Sequence, residues 1–565
     1  MSSEDIPKPW VETLKSVRKT TLEYKDISTF QFVKMRAQSF PNDLSMIFPK
    51  GKSITYAELL DSIKRMAVVF KDMGVQNGDK VALMLPNTPH YVICHYAIMA
   101  IGGTVVQTNP LYTHRELTHI INDSGAKGIV SITMFQSKIN DVLNNEDNPL
   151  EWAIFGNIKD YLKPLTAFLG TILGKLSDHP KMKPLPRNHS FVPLMKHADV
   201  SKFEEDEVDF ETGTVLFQYT GGTTGLSKGA MLTPRNISYN AQQARECIHM
   251  VPDRSGSILT VLPLFHSFGL TACLGLSFQL GVPMVLVPKF SAAEALSLIE
   301  KHKITFFPGV PTMMIALLNH EDAKKRDLSS LIAVISGGAP LPVEVAKQFK
   351  EITGGDLVEG YGLSETSPLV TINPIGVPEV HPKIGSIGLP APDTYIKIVD
   401  TEDPSKAMPI GEVGEIAVNG FQVMSGYYNK PQVNKRTIIN GWFLTGDMAY
   451  MDEDGFTFIV DRKKDMVIVS GYNVYPREVE EVLFEHPSIL EAAVAGMKHP
   501  VKGEIISAWV VLREGMTATE DEIIKFCKER MAPYKAPKQV VFRDELPKSM
   551  IGKVLRRKLT EDSQE

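Results

Sequence analysis

The spacing of apolar positions changes repeatedly along this chain. Leu59, Ile63, Met66 and Phe70 recur every three or four residues, the period of a helix with one buried face. Thr55 and Glu58 stand just before them, a pair that satisfies free N–H groups at a helix start, and Gly74 marks the end. Residues 81–85 form a short apolar run, the mark of a strand buried on both faces. Thr88-Pro89 opens a helix, Val105-Val106 a strand, Thr113 with Glu116 a helix, and Gly128-Ile129-Val130 a strand. The rhythm resumes with strands at 258–262, 284–287, 304–307 and 331–335. Helices start between and after them at Ser291 (with Glu294), after Pro311 and from Leu341. This alternation predicts an α/β fold of parallel sheets covered by helices.

Two regions depart from it. Residues 156–210 carry prolines, histidines and lysines around one apolar patch, 165–176. Phe168, Leu169, Ile172 and Leu173 lie there between Lys163 and Lys175, so the patch is expected either to pack as a surface helix or to rest on a membrane. From residue 462 onward a small α+β unit is expected. Its strands are predicted at 466–469, 492–495 and 508–512, and its helices from Pro476 and from Thr519 with Glu522. The charged run Asp461-Arg462-Lys463-Lys464-Asp465 is the expected linker, dividing the chain into 1–461 and 462–565.

Composition narrows the function classes. At 565 residues, with roughly 150 per domain, about 3–4 folding units are expected. Hydrophobic residues at 43% and charged residues at 22% exclude wholesale disorder. Lys and Arg number 60 against 66 Asp and Glu, and a net charge of −6 argues against a generally basic nucleic-acid binder. Cys94, Cys247, Cys273 and Cys527 lie far apart without a CxxC, which gives neither a disulfide framework nor a zinc site and fits a reducing compartment. The first residues lack a basic-then-apolar leader, so a cytoplasmic location is expected. The stretch 91–106 is interrupted by His95 and too short to span a bilayer; it reads as a core helix.

Candidate chemistry concentrates in Tyr219-Thr220-Gly221-Gly222-Thr223-Thr224-Gly225-Leu226-Ser227-Lys228-Gly229, after a strand predicted at 215–218. Glycines let backbone N–H groups turn toward anionic oxygens, hydroxyls add donors, and Lys228 adds charge, which suits a triphosphate. The spacing is not that of the Walker loop, since Lys228 is followed by Gly229. On composition alone the segment also fits a flexible linker. Further motifs follow in order: Gly337-Gly338-Ala339-Pro340, Glu359-Gly360-Tyr361-Gly362-Leu363-Ser364-Glu365-Thr366, Gly441-Trp442-Phe443-Leu444-Thr445-Gly446-Asp447, the 461–465 run, Gly471-Tyr472-Asn473-Val474-Tyr475-Pro476, and Pro547-Lys548-Ser549-Met550-Ile551-Gly552-Lys553.

This ordered set resembles the motifs of the adenylate-forming enzymes: acyl-CoA synthetases, firefly-type luciferases and peptide-synthetase adenylation domains. It covers about residues 30–560, with Ser364 where Thr is commoner, and is most similar to bacterial long-chain fatty-acid–CoA ligases. The resemblance implies a large N-terminal adenylation domain with a barrel-like β region and a small mobile C-terminal domain. It implies that a fatty acid and ATP give acyl-AMP, and that CoA then takes the acyl group. It further implies Mg²⁺, a fatty-acid partner and relatives that include homodimers; the patch at 163–175, read by its own residues, is what would give peripheral contact with the inner face of the membrane.

Residue by residue, the resemblance makes Glu365 the Mg²⁺-linked carboxylate and Thr220 its hydroxyl partner. Tyr361 packs on adenine, and Gly338, Ala339 and Gly362 complete the nucleotide site with the 220–228 loop. Asp447 accepts the ribose hydroxyls, Arg462 is a second ribose contact, and Lys464 marks the hinge. Gly471 and Tyr472 line the pantetheine route. His266 lies beside the reacting carboxylate, and Lys553 bridges that carboxylate and the α-phosphate. Taken singly, each has a plainer reading: a helix N-terminal acid for Glu365, a turn for Asp447, a core histidine for His266, a basic face for Lys553. Peptide-synthetase domains commonly hold an Asp near the substrate ammonium, but 258–280 contains no acid, which favours a fatty or aryl acid. Phe268, Leu270, Leu274, Val310 and Val334 are the expected alkyl wall. Two rival readings stay open: an adenylation unit serving a carrier protein, although no carrier domain is visible before the charged tail Glu561-Asp562-Ser563-Gln564-Glu565, and a non-catalytic nucleotide- or lipid-binding relative.

Overall fold

Local capping chemistry starts several helices where the sequence predicts. In the computed structural model Thr55 and Glu58 exchange the reciprocal bonds of a capping box, Glu58 N to Thr55 Oγ1 at 3.2 Å and Thr55 N to Glu58 Oε2 at 2.8 Å. The helix Tyr56–Asp72 follows. Thr113 with Glu116 and Thr519 with Glu522 do the same for His114–Ser124 and Glu520–Lys528. The structure describes residues 8–145, 147–172, 176, 178–220, 227–469, 472–499, 503–549 and 553–562.

Three sheets build the large unit. The first orders its strands Gly426–Tyr427, Lys228–Leu232, Leu216–Thr220, Thr104–Gln107, Lys80–Met84, Gly128–Ile132, Trp152–Gly156 and Asn188–Ser190, parallel from Leu216–Thr220 onward. The second has a parallel centre running through Leu357–Gly362, Ala333–Ser336, Ile304–Gly309, Ser257–Thr260, Met284–Leu286 and Leu44–Ile47. The third is antiparallel: Thr394–Val399, Gly414–Gly420, Trp442–Met451, Ile438–Ile439 and Thr457–Arg462. One continuous apolar core spans the first two sheets, with Val81 and Leu83 at one side and Ile258 and Phe306 at the other. Between them runs the helix Pro89–Ala100, buried on every side. That accounts for the apolar stretch at 91–106, and among the described residues no helix is long and apolar enough to cross a membrane.

The C-terminal residues form a fourth sheet, with strands Tyr472–Val474, Val467–Val469, Gly503–Leu512, Ile489–His499 and Gln539–Phe542. Pro476–Phe484 and Glu520–Lys528 cover it around a separate apolar core that includes Val479, Leu483, Ile523 and Cys527.

The structure differs from expectation at two places. The charged run does not begin as a free linker: Asp461 and Arg462 end the strand Thr457–Arg462, and Asp461 is buried. One basic side chain and one backbone donor explain how a carboxylate tolerates that site: the Arg556 guanidinium lies 3.6 Å away and the backbone N–H of Arg477 donates to it at 2.9 Å. The apolar patch does form a helix, Pro164–Ile172, but none of its residues is buried. Leu173 and Lys175 of that patch lie outside the described residues.

Candidate active site

A cavity of about 2040 Å³ opens at the carboxyl ends of the parallel strands, with the C-terminal unit over its mouth. Strand ends Thr220 and Gly362 border it, as does the turn Gly338-Ala339 after Ala333–Ser336. Open α/β sheets put ligand sites there because loops and free backbone groups converge at that edge. Gly362 is required by close approach: a Cβ there would sit 1.8 Å from the Pro368 carbonyl oxygen. Gly338 turns with φ +78°, a conformation that side chains resist.

One wall is electrostatic. Asp447 and Arg462 face each other across paired strands, which sets Arg462 Nε 3.1 Å from Asp447 Oδ1. The Tyr361 hydroxyl donates to Asp447 Oδ2 at 2.6 Å. Burial and the neighbouring carboxylate raise the Tyr361 phenol well above its ordinary range, so it stays a donor. Both oxygens of the buried Asp447 are thus oriented, and each keeps a further lone pair. Lys464 lines the same wall, and burial together with Arg462 lowers its pKa.

A second wall holds Glu365, which lies in the short turn Ser364–Thr366 and is buried. Its partner is Tyr427, whose hydroxyl donates to Glu365 Oε1 at 2.7 Å. Lys228 Nζ lies 4.7 Å from the centre of the Tyr427 ring, and Thr220 stands opposite Lys228 in the antiparallel pairing. Gly221, Gly222, Thr223, Thr224 and Gly225 of the predicted phosphate loop lie outside the described residues. So do Gly471 and the side chain of Tyr472.

The third wall joins the two units. Lys553 is held to Ser549: Ser549 N donates to Lys553 O at 2.8 Å and Lys553 N donates to Ser549 Oγ at 3.2 Å. Its side chain lines the cavity, and burial with Arg462 and Arg556 nearby pushes its ammonium down to about 8, against the pull of Asp447. His266 begins the helical turn Ser267–Gly269, its Nδ1 accepting from Phe268 N at 3.3 Å. Burial, reinforced by the charge of Lys553, pushes its imidazole down to about 4, so it is neutral at neutral pH.

The cavity continues into an apolar recess lined by Ala244, Cys247, Ile248, Phe268, Ala272 and Leu276. Of the expected alkyl wall only Phe268 lines it; Leu270, Leu274, Val310 and Val334 are buried in the core instead. The segment from Ser267 to Leu280 is helical, so only positions about three or four apart, such as 268, 272 and 276, face the space.

Apart from those four alkyl-wall residues, every described side chain or glycine predicted for the site borders one cavity. Sequence reasoning missed Tyr427, which stands 62 positions from Glu365 in no recognised motif. It gave no role to Glu359, the first residue of a quoted motif, and did not single out Arg477 or Glu481. Arg477, from the helix Pro476–Phe484, lies 3.8 Å from Glu359 in the strand Leu357–Gly362 and 3.9 Å from Glu481. Burial pushes the Glu359 carboxyl up to about 7, with Arg477 opposing.

Comparison with known proteins agrees with this architecture. Residues 33–428 match the family model described as AMP-binding enzyme, and 478–553 match its C-terminal domain. The chain is 41% identical to a long-chain-fatty-acid–CoA ligase of Bacillus subtilis over 99% of this chain and 98% of that one. It is 39% identical to a ligase of the same name from Salmonella typhimurium, covering 91% of each. ATP-bound MatB from Rhodopseudomonas palustris superposes with a TM-score of 0.82 at 28% identity, covering 95% and 99%. An anthranilate CoA ligase in complex with anthranoyl-AMP gives 0.84 at 25%, covering 100% and 99%. Strand-end cavity, paired sheets, separate C-terminal unit and both matched segments lead to one assignment: this chain belongs to the AMP-binding enzyme family.

Proposed function

We propose that this protein is an AMP-forming acyl-CoA synthetase acting on long-chain fatty acids. The observation that carries the reading is the joining, in one cavity, of a cation-rich polar end at Lys228, Arg462 and Lys553 to a recess walled by apolar side chains. The names of the relatives at 38–41% identity support the same substrate class.

A carboxylate is a poor electrophile, so it must be activated. Its oxygen attacks the α-phosphorus of ATP, and pyrophosphate leaves. Two anions approach in that step, and positioned cations offset their repulsion. Lys553 serves the substrate carboxylate and α-phosphate, and Lys228 the outer phosphates. His266, held neutral, offers a hydrogen bond beside the carboxylate without adding charge. Asp447, fixed by Tyr361 and Arg462, receives the ribose hydroxyls.

A metal fits the Glu365 side of the cavity. The donors there are one carboxylate, held at Oε1 by Tyr427, and the Thr220 hydroxyl, both hard oxygens. Mg²⁺ is a hard cation that prefers such oxygens, and one carried in with the nucleotide would be held there by Glu365 and Thr220. Bound there, it would neutralise phosphate charge.

In the second half-reaction the CoA sulfur attacks the acyl carbonyl carbon, the carbon–oxygen bond to AMP breaks, and the thiol proton passes to solvent. The C-terminal unit, 462–565, turns so that Lys553 leaves and the pantetheine route through Gly471 and Tyr472 opens. A cysteine acyl-enzyme is disfavoured, since all four cysteines are buried and burial raises every thiol.

The test is CoA-dependent AMP release over straight-chain acids of increasing length, with benzoate, cinnamate and amino acids alongside. A maximum among long acids is expected. Activity confined to aryl, amino or short acids would overturn the substrate, and release only with a holo-carrier protein would overturn the acceptor.

A further inference from the structure

We propose that the helix Pro164–Ile172 is a docking element that seats this protein on anionic bilayers. Leu165, Phe168, Leu169 and Ile172 are 69%, 63%, 46% and 65% exposed. Their positions, i, i+3, i+4 and i+7, form one continuous apolar stripe. Such a stripe ordinarily faces a core; here it faces outward, and clustered exposed apolar side chains of this kind mark a binding surface.

The chain on either side of the helix is fixed to the body. On its N-terminal side Leu162 bridges Gly51, and the Lys52 N–H donates to Tyr161 O at 2.8 Å. On the far side Asn157 Nδ2 donates to Pro180 O at 2.9 Å. Residues 162 and 180 are thus tied to the fold, while the stripe at 165–172 is open to solvent.

Charge selects the partner. Residues 161–177 contain no acid. Exposed Lys163 begins the helix, exposed Lys52 stands in the turn that clamps it, and exposed Lys181 and Lys183 follow on the returning chain. The acids flanking the segment are Asp160, engaged by buried His90 at 3.0 Å, and Asp178. An apolar wedge ringed by lysines matches the surface of a bilayer carrying anionic headgroups, whose potential attracts cations within a Debye length. A protein partner would have to supply an apolar cleft with an acidic rim, for which nothing here argues. The inference rests on the helix alone; only its usefulness, drawing acid substrate from the lipid phase, rests on the fatty-acid reading.

The test is sedimentation of the full chain with phosphatidylglycerol-containing vesicles and with pure phosphatidylcholine vesicles. Wild type is expected to bind the first more tightly, and less so as salt rises. Phe168→Glu with Ile172→Glu should weaken vesicle binding by about tenfold per substitution. Lys163→Glu should weaken only the anionic-vesicle binding. Activity on a short water-soluble acid reports folding and should not change in these variants. Wild type failing to bind either vesicle, or the double variant binding undiminished, would overturn the proposal. A stripe variant that dissociates a wild-type dimer, with no vesicle binding, would overturn it in favour of a second copy as the occupant. Vesicle binding by a chain inactive on every acid would sink the substrate reading and leave the docking helix standing.

Discussion

Arg477→Gln removes one of the contacts that tie the C-terminal unit to the large one. Arg477 is 6% exposed and stands 3.8 Å from Glu359, itself 7% exposed, with Glu481 at 3.9 Å. At an effective dielectric of about 20, two charges about 4 Å apart attract by about 4 kcal/mol. Burial outweighs this: even with Arg477 beside it the Glu359 carboxyl rises from 4.5 to about 7, so its ionised form costs about 3 kcal/mol more than in water. Without Arg477 that cost would be larger still, and the pair lies where the C-terminal unit that carries Lys553 meets the large one. Removing Arg477 raises the Glu359 pKa further, and the carboxyl can then take a proton rather than stay buried and charged. That escape caps the loss from this contact. Above a pKa of about 7, each pH unit adds about 1.4 kcal/mol; below it the cap approaches zero. Acyl-AMP formation, followed by pyrophosphate exchange, should therefore fall about tenfold relative to wild type at pH 8 and hardly at all at pH 6. Thioester formation from supplied acyl-AMP should be spared at both. A variant-to-wild-type ratio that is the same at pH 6 and pH 8, or equal loss of both half-reactions, would refute the reasoning.

Further outcomes follow from the same geometry. Lys553→Ala should abolish acyl-AMP formation yet leave CoA transfer from supplied acyl-AMP largely intact; parallel loss of both would remove Lys553 from its role. The Lys553 ammonium is pushed down to about 8, so its charge is present below that pH and lost above it; kcat/KM for ATP should decline through about pH 8, and Lys553→Arg should move that limb to higher pH. Tyr427→Phe removes the hydroxyl that orients Glu365, a charge-assisted bond of about 1.5–3 kcal/mol, and should raise the Mg²⁺ concentration for half-maximal rate about tenfold or more; an unchanged Mg²⁺ titration would dismiss that orienting role. Gly362→Ala would press a methyl group against the Pro368 carbonyl and should give an unstable protein, read as a thermal midpoint many degrees below wild type.

Much of this protein is written in neighbouring residues. A Thr–Glu pair three apart can close its capping bonds whatever the rest of the chain does, and so the starts at Tyr56, His114 and Glu520 were legible. Alternating short apolar runs and amphipathic stretches likewise announced parallel sheets, and the ordered motifs named the groups that border the cavity. The tertiary structure decided what depends on residues far apart. Tyr427 meets Glu365 because the short strand Gly426–Tyr427 joins the edge of the first sheet, a pairing without a local signal. Arg477 meets Glu359 only when two separate cores dock. Asp461 is buried because Arg556 and the Arg477 N–H reach it, where its own neighbourhood reads as a solvated charged run. The stripe at 165–172 makes the division plainest. Its helical period is a property of the sequence, but whether that face is covered depends on what the fold brings beside it, and the fold leaves it open to solvent.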